Sequence, residues 1–364
     1  MFLFATYQPT VSFSFMQDIQ IGQHLIGQHQ PPFIIAEMSG NHGQSLERAL
    51  EIVDAAADAG CQALKIQTST PEMLTLNSHE PDFIVRGAND DWEGQSLYEL
   101  YTTNHTPFEW HAPIFRHAEA RGMIGFSSPF SEAAIDFLET VGCPAYKIAS
   151  FENNWPNLIR RAARTGKPVI ISTGMAELAD LERMVRIVRN EGNEQIILLK
   201  CTSTYPALPH NTNLRTIPHL RDMFNCHVGL SDHTMGTGVG VAATVLGATV
   251  IEKHLTIRRA DGGPDSSFSM EPAEMKRLVE ECQQAQQALG AVSYGPTAAE
   301  LKSLGFRRSI YVVQDVAEGE LLTNENIRVI RPGHGLAPHY LPEVLGRPVR
   351  QELRRGTALT WDAL

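Results

Sequence analysis

Short apolar runs recur along the chain at intervals that suit alternating strands and helices. Eight of them lie between residues 33 and 256, and each is dominated by Val, Ile, Leu and Ala. Apolar runs of this length, separated by polar segments, predict β-strands. The predicted strands are FIIAEM (33–38), ALKIQT (63–68), IGFSSPF (124–130), AYKIAS (145–150), VIISTG (169–174), IILLKCT (196–202), HVGLSDH (227–233) and VIEKHLT (250–256).

The segments between these runs carry apolar residues at helical spacing. Residues 46–60 and 177–192 are amphipathic, and residues 271–290 form a last helix with one apolar face. Eight strands that alternate with helices predict a parallel (β/α)8 TIM barrel. An open doubly wound sheet is the alternative architecture, although no Gly-x-Gly-x-x-Gly fingerprint follows any predicted strand.

The last two predicted strands both lead to a histidine. The residues between them, 236–246, have the Val, Ala and Leu spacing of a short helix, which makes a β-α-β unit. Because parallel strands of such a unit end on the same side of the sheet, His233 and His254 are expected to project into one space. Two imidazoles in this arrangement suit a divalent metal ion. The alternative is that each histidine caps its own strand and the two never meet.

Polar residues occupy the carboxyl ends of all eight predicted strands, where a TIM barrel carries its chemistry. A single serine at a strand end usually caps a helix, but several serines converging with lysines suit a phosphate or carboxylate. Lysine is rarely buried without an anion, so we expect an anionic substrate. The strand-end residues are Glu37, Lys65, Gln67, Ser127, Ser128, Lys147, Ser150, Ser172, Thr173, Lys200, Thr202, Ser203, Ser231, His233, Glu252 and His254.

The remaining segments suggest how the chain is divided. The long connection after the second predicted strand, residues 69–103, is expected to form a lid over the barrel mouth; the alternative is a disordered insertion, against which Trp92, Leu97 and Tyr98 argue. Four parts are predicted: a disordered tail (1–16), the barrel (17–290), a linker (291–305) and a small domain of short strands (306–364). Met16 would be a more natural start than Met1.

Composition narrows the class of partner. The chain has 364 residues, 43% of them hydrophobic, and a formal net charge of −11, which argues against nucleic acid or an anionic membrane as a partner.

The cysteines at 61, 143, 201, 226 and 282 lack metal-type spacing and are expected to be buried free thiols. The apolar first fifteen residues are too short to span a bilayer, and the expected location is the cytoplasm.

Several stretches, in this order along the chain, resemble the sialic acid synthase family, whose members condense phosphoenolpyruvate with an amino-sugar aldehyde. The resemblance covers about residues 17–364. RRADGG, FRRSIYVV and LLKCTSTYP most resemble the branch of pseudaminic acid synthases, which use 2,4-diacetamido-2,4,6-trideoxy-L-altrose; N-acetylneuraminate or legionaminate synthases are the alternative. The stretches are IIAEMSGNHG (34–43), ALKIQT (63–68), PAYKIASFE (144–152), KPVIISTGM (167–175), CTSTYP (201–206), GLSDHT (229–234) and VIEKHLTIRRADGGPD (250–265).

The resemblance also implies roles for individual residues. His233 and His254 match metal ligands for Mn²⁺ or Mg²⁺, and Glu37 matches a carboxylate near the reacting carbons. The sugar side is matched by Gln67, Tyr205, Asp265 and Arg331. Contacts to phosphoenolpyruvate fall on Lys65, Ser128, Lys147, Ser150, Ser172, Ser203 and Ser231, of which Ser203 is the weaker match, because sialic acid synthases can carry Asn there.

The small domain is similar to the antifreeze-like SAF domain of these synthases, which reaches over the barrel of a dimer partner and offers an arginine, here Arg331. The resemblance therefore implies a homodimeric transferase. Two readings from other classes remain open: a Schiff-base aldolase that uses Lys65 or Lys147 as its amine, and a non-catalytic carbohydrate-binding protein.

Overall fold

Eight parallel strands close into a barrel in a computed structural model that describes residues 16–87 and 92–364. The barrel strands are β3 (Phe33–Glu37), β4 (Ala63–Thr68), β5 (Ile124–Pro129), β6 (Tyr146–Ile148), β7 (Val169–Ser172), β8 (Ile196–Cys201), β9 (His227–Asp232) and β10 (Val250–His254). Their order around the barrel is β10-β3-β4-β5-β6-β7-β8-β9. This confirms the predicted TIM barrel and rules out the open doubly wound sheet.

Helices follow the strands and cover the outside of the barrel. The first of them begins where the Ser45 side chain accepts a hydrogen bond from the backbone of Arg48, and it buries Ala49, Ile52 and Val53 against the sheet. The helices of the barrel unit are α1 (Leu46–Asp58), α2 (Pro71–Leu74), α3 (Leu97–Asn104), α4 (Phe108–Ala120), α5 (Glu132–Thr140), α6 (Pro156–Ala163), α7 (Leu178–Asn190), α8 (Thr216–Phe224), α9 (Gly238–Val245) and α10 (Pro272–Leu289). A further short helix, α11 (Leu341–Val344), belongs to the second unit of the chain.

Most barrel strands end one or two residues before the apolar runs that predicted them. In β6, for example, the ladder stops at Ile148, whereas the run continues to Ser150. The difference arises because the last residues of the runs leave the ladder and turn into the loops of the barrel mouth. The parallel pairing of β10 with β9 sets Lys253 opposite Asp232, so that His254 and His233 follow at the same level.

The connection between β4 and α4 is folded in its described parts. The backbone of Val85 pairs with that of Gln95, and Ser96 begins α3 with a capping box completed by Glu99. The prediction of an ordered segment is therefore confirmed for these residues; Asp90 and Asp91, within this connection, lie outside the described residues. A short hairpin, β1 (Ile19–Ile21) and β2 (His24–Ile26), precedes the barrel.

The chain divides into two compact units between Gly290 and Ala291. The second unit has its own core, which includes Ile310, Val312 and Leu359, and an antiparallel pair, β11 (Ser309–Val312) and β12 (Ile327–Ile330). Part of the segment predicted as linker is a 3₁₀ turn, Leu301–Phe306. The predicted tail, apart from Met16, lies outside the described residues.

All five cysteines are buried and free, as predicted. Within residues 16–87 and 92–364, no helix is both long and apolar enough to cross a membrane.

Candidate active site

The carboxyl ends of the barrel strands surround a cavity of about 370 Å³. Its floor is polar and is formed by the strand ends, whereas one wall is apolar and comes from the connection between β4 and α4. Eleven residues predicted for the site line this cavity: Glu37, Lys65, Gln67, Lys147, Ser150, Ser172, Tyr205, Ser231, His233, His254 and Asp265.

Two buried lysines and two buried carboxylates form the centre of the floor. Lys65 Nζ lies 2.6 Å from Glu37 Oε2 and 3.8 Å from Glu252 Oε2. Lys147 Nζ lies 3.8 Å from the other oxygen of Glu252, Oε1. All four side chains are at most 5% exposed. Charges buried this deeply cost several kcal/mol each unless they are paired, so the four groups hold one another in place.

Burial and neighbouring charges shift the pKa values of these four groups in different directions. Burial raises the pKa of Glu37 against the opposing effect of Lys65. Burial also raises the pKa of Glu252, but Lys147 and Lys65 outweigh it and hold that pKa below its usual value. Burial lowers the pKa of Lys147, while for Lys65 the two carboxylates reverse that effect and raise its pKa. Glu252 is therefore the firmly ionised carboxylate, and Glu37 is the one that more readily carries a proton.

Serine hydroxyls surround the lysines. Lys147 Nζ donates to Ser172 Oγ at 2.6 Å, and Lys65 Nζ donates to Ser128 Oγ at 3.2 Å. Ser231 Oγ donates to Glu252 Oε1 at 3.0 Å. These contacts give the lysines and serines fixed positions from which they can hold an anion.

A second pair of serines meets over Gly174. A Cβ atom at Gly174 would lie 2.1 Å from Ser203 Oγ and 2.5 Å from Ser150 Oγ, so only glycine leaves both hydroxyls in place. The hydroxyl of Ser150 is buried and has no hydrogen-bond partner among the described residues. A buried polar group of this kind is usually satisfied by a ligand or by water. Ser203 does not line the cavity itself, but its hydroxyl lies 3.7 Å from the sulfur of Cys201, which does.

The two histidines come together, as their strand ends predicted. Their ring centroids are 5.4 Å apart. His233 donates from Nδ1 to the carbonyl oxygen of Thr202 at 2.9 Å, an arrangement that typically orients a metal-binding imidazole. Nδ1 of His254 is buried without a hydrogen bond in the described structure, and it lies 3.9 Å from Asp265 Oδ2.

This pair fits a divalent metal ion whose protein shell is incomplete. Burial and the neighbouring His233 hold the pKa of His254 well below its usual value, so its imidazole is neutral, the form that binds metal. Burial lowers the pKa of His233, but a hydrogen bond to Cys201 outweighs this and raises it. The described residues contain no group of three or more His, Cys, Asp or Glu arranged around one metal position. Water and substrate would have to complete the coordination.

Aromatic side chains and amides form the opposite side of the cavity. The ring of Tyr205 packs on His233 at 4.4 Å and on Trp92 at 6.0 Å, and Trp92 Nε1 donates to the carbonyl of Pro264 at 3.0 Å. Gln67 Nε2 donates to Glu37 Oε1 and to Ser39 Oγ, both at 3.0 Å. Trp92 thus joins the β4–α4 connection to the loop that carries Asp265.

The sequence prediction missed several polar residues of the cavity, among them Glu152 and Cys201. Glu152 lies two residues beyond Ser150, and burial raises its pKa to about 7. Its Oε2 is buried without a hydrogen bond from any described residue. Burial raises the pKa of Cys201, but the hydrogen bond with His233 and the charge on that ring lower it to about 6. Neither residue differs in type or spacing from an ordinary loop acid or core thiol, so only the fold reveals them.

Three of the residues to which the family resemblance assigns a role do not line the cavity. Ser128 and Ser203 contact residues that do, and Arg331 is exposed in the second unit. Lys200, a further strand-end residue, turns away and donates from Nζ to the carbonyl of Cys201 and to Thr202 Oγ1.

Comparison with known proteins finds matches along almost the whole chain. The NeuB family matches residues 52–294, and the SAF domain matches residues 307–364. A pseudaminic acid synthase from Campylobacter jejuni is 44% identical over 90% of this chain and 95% of the relative, and one from Helicobacter pylori is 42% identical over 92% and 98%. The crystal structure of an N-acetylneuraminic acid synthetase from Leptospira borgpetersenii is 31% identical, with a TM-score of 0.70 over 79% of this chain and 95% of that one.

Proposed function

Because the chain belongs to the NeuB family, we propose that it condenses phosphoenolpyruvate with 2,4-diacetamido-2,4,6-trideoxy-L-altrose to give pseudaminic acid and phosphate. The relatives named pseudaminic acid synthases, at 42–44% identity, support this choice of sugar. The observation that carries the proposal is the floor of the cavity, where two buried lysines and their serines lie beside two histidines. Such a floor suits an anion that reacts next to a polarised carbonyl.

Phosphoenolpyruvate would bind along the lysines and serines. Lys147 with Ser172 and Lys65 with Ser128 supply charge-assisted hydrogen bonds for its phosphate and carboxylate groups. Ser150, Ser203 and Ser231 add hydroxyl donors around the same space. These groups act by fixing the enol carbon against the aldehyde, which lowers the entropic part of the barrier.

The sugar would lie on the side formed by Gln67, Tyr205 and Asp265. Burial raises the pKa of the Asp265 carboxyl, and Ser39 hydrogen-bonds to that carboxyl. A carboxyl and an amide in these positions can hold the hydroxyl and acetamido groups of an open-chain sugar. Arg331, on the SAF domain, would add a cation to this side.

His233 and His254 would hold Mn²⁺ or Mg²⁺, which when bound polarises the aldehyde oxygen of the sugar as a Lewis acid. Around that site, the contact of His233 with the Thr202 carbonyl keeps the imidazole in one tautomer and one orientation.

The chemistry forms one carbon–carbon bond and breaks one carbon–oxygen bond. C3 of phosphoenolpyruvate attacks the aldehyde carbon, whose oxygen takes up a proton, and water adds at C2 with loss of a proton. The hemiketal phosphate then releases phosphate by C–O cleavage as the C2 hydroxyl loses its proton. Glu37, ion-paired with Lys65, is suited to orient the water or to stabilise positive charge at C2, and Glu152, with a pKa of about 7, is suited to exchange protons.

We further propose that the active unit is a homodimer in which the SAF domain of one chain covers the barrel of the other. The rim of the barrel mouth carries exposed apolar side chains on the loops after four successive strands, β6 to β9. A second chain would bury this rim and gain the hydrophobic free energy of that contact. The rim residues are Phe151, Trp155, Met175, Leu178, Leu208 and Met235.

Mass spectrometry of reaction products tests the proposed activity. The purified protein is incubated with phosphoenolpyruvate and a panel of amino-sugars, with a Lys147→Met protein as the inactive control. We expect pseudaminic acid and phosphate from 2,4-diacetamido-2,4,6-trideoxy-L-altrose and much slower turnover of N-acetylmannosamine. Comparable turnover of the two sugars would instead favour an N-acetylneuraminate or legionaminate synthase, and an adduct trapped by borohydride would favour a Schiff-base aldolase.

A further inference from the structure

Helix α3 turns one apolar face towards the cavity rather than towards the core of the barrel. Leu97, Leu100, Tyr101 and Asn104 line the cavity, and they are spaced three, one and three residues apart, which places them on one side of a helix. Thr102 and Thr103 lie on the exposed side. Helix α3 is therefore amphipathic, but its apolar side faces the cavity instead of the protein core.

The wall around this face is held in a fixed position. The Ser96 capping box begins the helix, and the Tyr98 hydroxyl donates to Glu72 Oε1 on α2 at 2.5 Å. Leu74, at the end of α2, and Val85, whose backbone pairs with Gln95, extend the apolar lining. A rigid wall can select ligands by shape and polarity because it does not adapt to each of them.

The cavity is thus divided between a charged floor and an apolar wall. Phosphoenolpyruvate has two anionic groups and no methyl group, so its complement is the floor. The sugar of the proposed reaction has methyl groups on two acetamido substituents and at C6. N-acetylmannosamine has one such methyl group and carries hydroxyl groups at C4 and C6 instead.

We infer that the apolar face of α3, formed by Leu97 and Leu100, together with Val85 of the same cavity wall, is a specificity surface that packs against the methyl groups of the sugar. The surface favours 2,4-diacetamido-2,4,6-trideoxy sugars over sugars with hydroxyl groups at those positions. The inference rests on the proposed function and identifies the residues that select the sugar within it. An apolar pocket discriminates by about 10- to 200-fold for each methyl-sized group, so several groups together can account for the choice.

Leu97 offers a direct test because it lies at the first position of α3 and is only partly buried. Leu97→Asn keeps the approximate shape and adds a polar amide. The matched control is Thr102→Asn, which places the same amide on the outer face of the same helix. The values to measure are kcat/KM for 2,4-diacetamido-2,4,6-trideoxy-L-altrose and for N-acetylmannosamine, the KM for phosphoenolpyruvate, and the melting temperature.

We expect Leu97→Asn to lower kcat/KM for the trideoxy sugar by about 10-fold or more, with a smaller effect on N-acetylmannosamine and little change in the KM for phosphoenolpyruvate. Val85→Thr exchanges a methyl for a hydroxyl at constant shape, and it should lower the ratio of kcat/KM for the trideoxy sugar to kcat/KM for N-acetylmannosamine in the same way. This variant provides the test if Leu97→Asn fails to fold. An equal loss for both sugars, or the same loss in Thr102→Asn, would overturn the inference. A wild-type protein with no preference for the trideoxy sugar would instead overturn the proposed function.

Discussion

Asp232 and Lys253 form an ion pair on the outside of the barrel, one residue before His233 and His254 respectively. Lys253 Nζ lies 2.7 Å from Asp232 Oδ2, and both side chains are 1% exposed. The other oxygen of Asp232 accepts hydrogen bonds from the backbone and the hydroxyl of Thr234, at 2.9 and 2.8 Å. Because the two residues are also register partners, this pair fixes the ends of the two strands that carry the histidines.

The stability of the protein should depend on both members of this pair. Lys253→Met leaves a buried carboxylate without its partner and should lower the free energy of unfolding by about 3–5 kcal/mol. Adding Asp232→Asn removes the stranded charge while keeping an oxygen for Thr234, and should recover most of that loss. Urea unfolding measures the free energy of unfolding of the single and the double variant. Lys276→Met, on the exposed face of α10, is the control. A double variant no more stable than Lys253→Met would contradict this account.

Removal of a metal ligand should abolish activity without unfolding the protein. His233→Ala should abolish turnover and Mn²⁺ binding, yet leave the protein folded with only a modestly lower melting temperature, because His233 packs on Tyr205 and bonds the Thr202 carbonyl but lies outside the hydrophobic core. Isothermal titration with Mn²⁺ measures the binding, and His219→Ala, on the exposed face of α8, is the control. Chelation with EDTA should inhibit the wild type, and Mn²⁺ should restore it. Full activity after exhaustive chelation would remove the metal from the mechanism.

The pH dependence of kcat should reflect the protonation of Glu152. Its pKa is about 7, raised by burial, so the protonated form predominates below that value and is lost above it. If the protonated carboxyl supplies the proton, kcat should fall as the pH rises through about 7. Glu152→Gln should lower kcat by about 100-fold or more and remove this descending limb. Glu119→Gln, an exposed residue of α4, should leave the pH profile unchanged; a Glu152→Gln profile with the same limb would assign it to another group.

Much of the barrel and of its polar floor could be predicted from the sequence because both depend on local patterns. The run ALKIQT coincides with β4 over its whole length, and two of its three polar residues, Lys65 and Gln67, line the cavity. Their alternation with apolar residues gives the direction of each side chain, since successive residues of a strand point to opposite faces.

The rest of the site depends on contacts between distant segments. Glu152 is distinguished only by its burial, which comes from elements far away in the sequence. The apolar residues of α3 have the pattern of an ordinary amphipathic helix, so their exposure to a substrate cavity becomes visible only when the helix is placed over the barrel mouth. Ser150 follows an apolar run, but its unpaired hydroxyl depends on Gly174 and Ser203, which belong to two other loops.

Arg331 tests the proposed dimer as well as the chemistry. Residues 291–300, between α10 and the 3₁₀ turn that begins at Leu301, include Gly and Pro, and random-coil scaling gives a segment of this length a reach of roughly 20 Å. If the arginine acts on the barrel of the partner chain, Arg331→Ala should raise the KM for the sugar far more than the KM for phosphoenolpyruvate.

Mixing the Arg331→Ala protein with the inactive His233→Ala protein then distinguishes action on the partner from action within one chain. The assay uses a sugar concentration far below the raised KM of Arg331→Ala, so that neither variant alone contributes appreciable activity. In a heterodimer of Arg331→Ala and His233→Ala chains, the barrel with intact histidines receives an intact arginine only if the SAF domain crosses to the partner. Random exchange in an equal mixture makes half of the dimers hybrid, each with one complete site, so about a quarter of wild-type activity should return. Subunit exchange is monitored independently by mass spectrometry of isotope-labelled chains. Exchange without recovered activity would mean that each SAF domain serves its own barrel, and the proposed dimer would lose its catalytic basis.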